Sequence, residues 1–163
     1  MAVNAKKITM TKEGYDALVK ELQWREGEER ERIKNDIVTA RGFGDLSENA
    51  EYEAARNAQT ENESRILKLK YDIENAEVYD ESRAVHGVID IGATVKVFDE
   101  ELKEELTWRI VGSNEADIYS GKISDVSPVG QALIGHRAGD VITGVVEASG
   151  YNFTYRIIEV NRD

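Results

Sequence analysis

Two different periodicities divide this chain. From Thr11 to about Arg41, apolar side chains recur at helical spacing at Tyr15, Leu18, Leu22, Ile33, Ile37 and Ala40, with Thr11 placed as an N-cap. From about Ser47 to Tyr79 a second run follows with Ala55, Ala58, Ile66, Leu69, Ile73 and Ala76; the three-four alternation is regular once Asn62 is counted as a polar member. So narrow a stripe belongs to a coiled coil rather than to a helix lying on a broad core.

Each run is about thirty residues, hence about 45 Å of helix at 1.5 Å per residue. Only "GFGDL" separates them, so the spacing predicts an antiparallel helical hairpin. Paired residue numbers then sum to about 91, which brings Leu22 near Leu69, Leu18 near Ile73, and Ile37 near Ala54 and Ala55. Large side chains fill the base of this hairpin, and alanines fill the end near the turn. The stretch "REGEERERIKND" is charged nearly all round, as suits helices projecting into water.

After Glu81 the period changes to two. Strands are expected at 92 to 99, 105 to 112, 121 to 124, 140 to 148 and 151 to 160, bounded by glycines. "SPVGQALIG" predicts one short helix with Ser127 as its N-cap, Pro128 at its first position and Gly135 closing it. The fold class is therefore α+β: a coiled-coil hairpin over residues 1–81, then an antiparallel β-sheet domain with one short helix over residues 82–163.

Charge narrows the function. The net charge is −11 and the pI about 4.8, with both halves acidic. Binding to nucleic acid runs on Lys and Arg displacing counterions, so strong independent nucleic-acid binding is not expected. There are no cysteines, which removes disulfides, thiolate zinc sites and cysteine nucleophiles. The two histidines, His86 and His136, have no metal-binding context. No apolar leader opens "MAVNAKKITMTKEG" and no run long enough to span a membrane appears, so a cytoplasmic location is expected without membrane partners.

Phosphate-loop, dinucleotide-binding, nucleophile-elbow and EF-hand motifs are missing. What stands out is "GDLSENAEY", residues 44 to 52, where Asp45, Glu48, Glu51 and Glu53 follow one another with no basic residue between Gly42 and Ala55. Acids in a first helical turn are stabilised by the macrodipole, and a charged tip keeps a hairpin soluble, so this cluster has an ordinary explanation. It also has a chemical one. Asp45 in the turn and Glu48 close to the start of the second helix can point off the end of the hairpin as hard oxygen ligands for Mg²⁺. Two carboxylates hold Mg²⁺ poorly, so the site must be completed elsewhere. Glu51 and Glu53 lie farther along the helix, away from that focus.

"ARGFGDLSENAEYEAAR" (40 to 56) closely resembles the tip segment of the bacterial Gre transcript cleavage factors. "TKEGYDALVKEL" resembles that family's opening helix, and "RIVGSNEADIYSGKIS" and "SPVGQALIGHRAGDVI" resemble its C-terminal domain. The resemblance implies an FKBP-like fold for the second domain and a transcription elongation factor that is not itself an enzyme. Such a factor binds RNA polymerase beside the secondary channel, inserts its coiled coil, and stimulates the polymerase's own cleavage of a backtracked RNA 3′ end.

Under that resemblance Asp45 and Glu48 are the functional acids, sharing Mg²⁺ with the polymerase only in the complex, with no cofactor bound stably. Arg41 and Arg56 match basic positions close to the RNA 3′ end, with ordinary helix solubility as the other reading. The segment carrying Ser127, Pro128, Leu133, Ile134 and Gly135 belongs to the polymerase-binding domain. The chain departs from the family pattern at Phe43, Gly130, Gln131 and His136. Interleaved acids break up any long basic stripe along the hairpin, which implies the branch of the family that releases short RNA fragments. Two other readings remain: a channel-binding inhibitor of the same shape, and a chaperone or prolyl isomerase suggested by the FKBP-like fold.

Overall fold

The computed structural model describes residues 7–42 and 49–162. These fall into two compact units, one of residues 15–76 and the other of residues 6–14 together with 77–163. The stretch carrying Phe43, Asp45 and Glu48 lies outside the described residues.

The helical unit is formed by α1 (Lys12–Trp24), a π-helical turn (Arg25–Glu29), α2 (Arg30–Arg41) and α3 (Ala50–Glu74). Cross-helix partners confirm the antiparallel hairpin. Arg65 grips Glu21 through two bonds of 2.8 Å, Arg30 grips Glu63 at 2.8 and 2.9 Å, and Lys70 meets Glu26 at 2.7 Å. Near the turn Ile33, Ile37 and Ala55 are buried together with Tyr52 and Ala58 against them, and farther along α3 the seam residues Asn62, Ile66 and Leu69 are buried.

Two features depart from the expected helices. The first helix is interrupted by the π-helical turn, whose charged sequence "REGEE" carries no apolar period that could have marked it. The second helix ends at Glu74 rather than near Tyr79. Asn75 bonds back to the Tyr71 carbonyl through its side chain, at 2.8 Å, and residues Ala76–Val78 leave as a strand, β2. Its partner is β1 (Ile8–Met10). Beyond β2, the Tyr79 N–H donates to the Met10 carbonyl at 2.8 Å.

The second unit is a five-stranded sheet of β3 (Thr94–Asp99), β4 (Glu104–Val111), β5 (Lys122–Ser124), β6 (Val141–Val146) and β7 (Tyr151–Asn161), in the order β5-β4-β3-β7-β6. Every expected strand is present, but the sheet is mixed, because β5 runs parallel to β4. The residues between these two strands include a single turn over Ile118–Ser120, so β5 returns to the edge in the same direction as β4. The short helix is α4 (Pro128–Leu133), packed against β5 and β6. On the central strand β3, Val95 and Val97 are fully buried, and strand alternation places them on one face with Ile110, Phe153 and Ile157 in the same core.

The start of α1 is secured within this unit. Thr11 is the N-cap, its hydroxyl oxygen accepting from the Gly14 N–H at 3.0 Å. Glu115 accepts in turn from the Thr11 N–H at 2.9 Å, from the Thr11 hydroxyl, and from the Gly112 N–H at 3.2 Å. One carboxylate thus serves three donors from two parts of the chain.

Candidate functional site: the turn end of the helical hairpin

The two acids singled out from the sequence, Asp45 and Glu48, belong to the segment joining α2 to α3, outside the described residues. What is described is how both ends of that segment are tied. α2 ends at Arg41, and the Gly42 N–H reaches back to the Val38 and Thr39 carbonyls. α3 starts under Asn49, whose side-chain oxygen accepts from the Tyr52 N–H at 3.0 Å while its amide donates to the Ala40 carbonyl at 2.7 Å. Asn49 therefore caps one helix and staples it to the last turn of the other. The residues from 43 to 48 depart from and return to points held by a single side chain.

Behind this staple a groove runs between the two helices. Ala40, Ala54, Ala55 and Ala58 line a groove of about 410 Å³ whose polar rim includes Arg32, Asp36 and Glu51. Ala40 and Ala55 are buried at this end of the seam.

Charge is distributed unevenly along the hairpin. Arg25, Arg30, Arg32 and Arg65 each bond a carboxylate at 2.7 to 2.9 Å. Glu21, between Arg65 and Arg25, is held down to about 2, chiefly by its hydrogen bonds to Arg65, with burial opposing. The two arginines nearest the turn differ. Among the described residues neither Arg41 nor Arg56 has a carboxylate partner: Arg41 lies over the ring of Tyr52, 5.9 Å from its centre, and Arg56 donates to the Gln59 side-chain oxygen at 3.1 Å. Both are exposed, and they stand at the two ends of the acidic segment. Tyr52 is the member of this group that sequence reasoning overlooked; its position in the first turn of α3, two residues before the Ala54-Ala55 seam, was the available signal.

Along the second unit, the segment expected to face a partner is well ordered by local bonds. The Ser127 oxygen accepts from the Gly130 N–H at 3.1 Å, Pro128 opens α4, and Gly135 follows it at φ 88°. Of the five residues expected to meet a partner, Leu133 is fully buried in the core, so its role in this unit is to anchor α4; Pro128 and Gly135 are exposed, and Ser127 and Ile134 are half-buried. Phe153 and Tyr155 are buried in the core and stacked at 5.0 Å, with Trp108 edge-on to Tyr155 at 5.3 Å. Burial drives the Tyr155 hydroxyl up to about 12.

Family models settle the relationship. Residues 8–78 match the N-terminal region of transcription elongation factors of the GreA_GreB_N family, and residues 84–162 match the GreA/GreB C-terminal region. The chain belongs to the GreA/GreB family of transcription elongation factors. Relatives named transcription elongation factor GreA include those of Bartonella tribocorum, 49% identical over 94% of this chain and 97% of the relative, and Rhizobium meliloti, 49% identical over 94% and 96%. Among solved structures, the GreA factor homolog 1 of Thermus thermophilus aligns over 96% of this chain and 99% of its own, at 28% identity and a TM-score of 0.40. For this GreA/GreB family member, among the described residues no helix is long and apolar enough to cross a membrane, and no group of three or more His, Cys, Asp or Glu is placed to hold a metal ion.

Proposed function

We propose that this cytoplasmic elongation factor binds RNA polymerase through its second unit, passes its helical hairpin into the secondary channel, and assists hydrolysis of RNA whose 3′ end has been extruded by backtracking. The observation that carries this reading is the Asn49 staple between the two helices. Asn49 ties the start of α3 to the end of α2, which fixes the two ends of the segment that carries Asp45 and Glu48 in the sequence.

The chemistry is hydrolysis of one phosphodiester bond. Water adds to phosphorus, the bond to the 3′ oxygen breaks, and the retained RNA is left with a 3′ hydroxyl while the released fragment keeps a 5′ phosphate. Glu48 orients the water and takes its proton; Asp45 supplies a carboxylate oxygen toward Mg²⁺ shared with the polymerase. Two carboxylates suit Mg²⁺ in donor type but leave most of its six positions unfilled, so the polymerase and the RNA phosphate must complete them. When bound in the complex, Mg²⁺ neutralises charge at the reacting phosphate. The polymerase thereby supplies the cleft and the hydrolytic activity, and this chain is a stimulator rather than an enzyme in its own right. Exposed Pro128 and Gly135, with half-buried Ser127 and Ile134, form the part of the docking surface nearest α4.

The test is incubation with a stalled, backtracked elongation complex and Mg²⁺, followed by sizing of the RNA. Release of short 3′ fragments, faster than from the complex alone, is expected. Slowed elongation with no released fragment would instead point to a channel-binding inhibitor. Phe153 and Tyr155 are committed to the core with Trp108 edge-on to Tyr155, which argues against prolyl isomerisation.

A further inference from the structure

We propose that Arg162 and the cavity it lines form a binding site for a small oxyanion, a phosphate or carboxylate group, within the second unit and independent of the acids on the hairpin. Arg162 carries a charge without a counter-ion. Two of its nitrogens, Nε and Nη1, are shielded from solvent and bond nothing among the described residues. The third, Nη2, reaches only the Tyr79 hydroxyl, at 3.4 Å, and the guanidinium lies over the Tyr79 ring, 5.2 Å from its centre. That hydroxyl donates in turn to Asp90 at 3.1 Å, and the other oxygen of Asp90 accepts from the Ile91 N–H at 2.8 Å. Asp90 is thus engaged elsewhere, and no carboxylate is paired with Arg162 among the described residues.

A guanidinium withdrawn from water is costly unless its N–H donors are met, and here most are not. Beside it lies a cavity of about 340 Å³, a volume suited to a small molecule. His86 and Asn161 add polar groups to its wall, and Val85 and Val160 apolar ones. Gly92, in the left-handed region at φ 89°, leaves room beside Nη1, since a methyl group there would come within 3.1 Å of it. A turn about the last bonds of the Arg162 side chain brings its orphaned donors into the cavity, where an oxyanion meets them with charge-assisted bonds. A second guanidinium, that of Arg137, stands close by, bonded to the His86 carbonyl at 3.2 Å. One group opposes: Glu81 lines the same cavity, and its charge lowers the affinity for any anion.

The experiment is isothermal titration calorimetry of the full chain with inorganic phosphate, with acetate and, at matched ionic strength, with chloride. Saturable binding of phosphate or acetate, absent with chloride, is expected, and the tighter of the two tells a phosphate site from a carboxylate site. Arg162→Gln should weaken that binding at least about tenfold, through the loss of charge-assisted hydrogen bonds. Glu81→Gln should tighten it several-fold by removing the opposing charge. The proposal is overturned if neither oxyanion binds better than chloride, which would leave water as the partner of Arg162, if Arg162→Gln binds as well as the unaltered chain, or if Glu81→Gln brings no gain. Should Arg162→Gln fail to fold, the response of Glu81→Gln decides alone.

Discussion

Asn62 and Arg25 are bonded to each other twice across the hairpin. The Asn62 amide donates to the Arg25 carbonyl at 3.1 Å, and the Arg25 guanidinium donates to the Asn62 side-chain oxygen at 3.1 Å. Arg25 opens the π-helical turn of the first helix, where the carbonyl ladder is spread wider than in an α-helix. A buried amide on the facing helix thus meets a backbone acceptor at the point where the ladder is irregular, and it can do so in one register only. Replacing Asn62 by Leu keeps the bulk and leaves the Arg25 carbonyl without this donor. We expect a loss of about 1–3 kcal/mol, seen as a lower midpoint in thermal unfolding followed by helical circular dichroism.

Gly27, inside the same turn, has the opposite prospect. A methyl group built there meets nothing within 4 Å. Gly27→Ala should therefore stabilise the helical unit by about 0.5–1 kcal/mol, since alanine loses less backbone freedom on folding. Denaturant unfolding of the full chain would show it; a loss of stability would mean that the widened turn depends on glycine.

Legibility from sequence was uneven for physical reasons. The hairpin and all five strands were readable, because burial imposes a period at Ile33, Ile37, Ile66 and Leu69 and an alternation at Val95 and Val97. The π-helical turn was not, since Arg25 to Glu29 are polar all round and what supports the widened turn, Asn62, is thirty-seven residues away in the chain. β1 and β2, at three residues each, are too short to show an alternation. The parallel pairing of β5 depends on how the chain between β4 and β5 returns, which no local pattern records. At the turn end of the hairpin, Asp45 and Glu48 stand out as a sequence motif but lie outside the described residues, whereas Tyr52 emerged only when Arg41 was seen lying over it.

Glu21 predicts how the hairpin responds to acid. Its carboxyl, normally near 4.5, is held down to about 2 mainly by Arg65. A depressed folded value means the stabilisation is fully present above about 4.5 and is lost as pH falls toward 2. With the group partly exposed, the loss should be on the order of 1 kcal/mol after solvent screening. Glu21→Gln should remove most of this pH dependence in unfolding curves taken between pH 5 and 2.

Glu115 predicts a second stability effect, in the other unit. Truncating it to Ala strips an acceptor from the Thr11 N–H, the Thr11 hydroxyl and the Gly112 N–H together, and should cost about 2–3 kcal/mol. Gly14→Ala should act through the same group, because the new methyl would fall on the Glu115 carboxyl. The two substitutions should be strongly non-additive in a double-mutant cycle, each removing what the other depends on.

The central claim is that Asp45 and Glu48 assist cleavage inside the polymerase, and the most direct measurement is the rate of RNA cleavage in a stalled, backtracked elongation complex with Asp45→Ala and Glu48→Ala, each checked for polymerase binding. The account predicts that each variant binds nearly as well as the unaltered chain and loses at least about a hundredfold of the stimulated cleavage rate, as expected when an interaction made only in the transition state is removed. Undiminished cleavage by both single variants would contradict it.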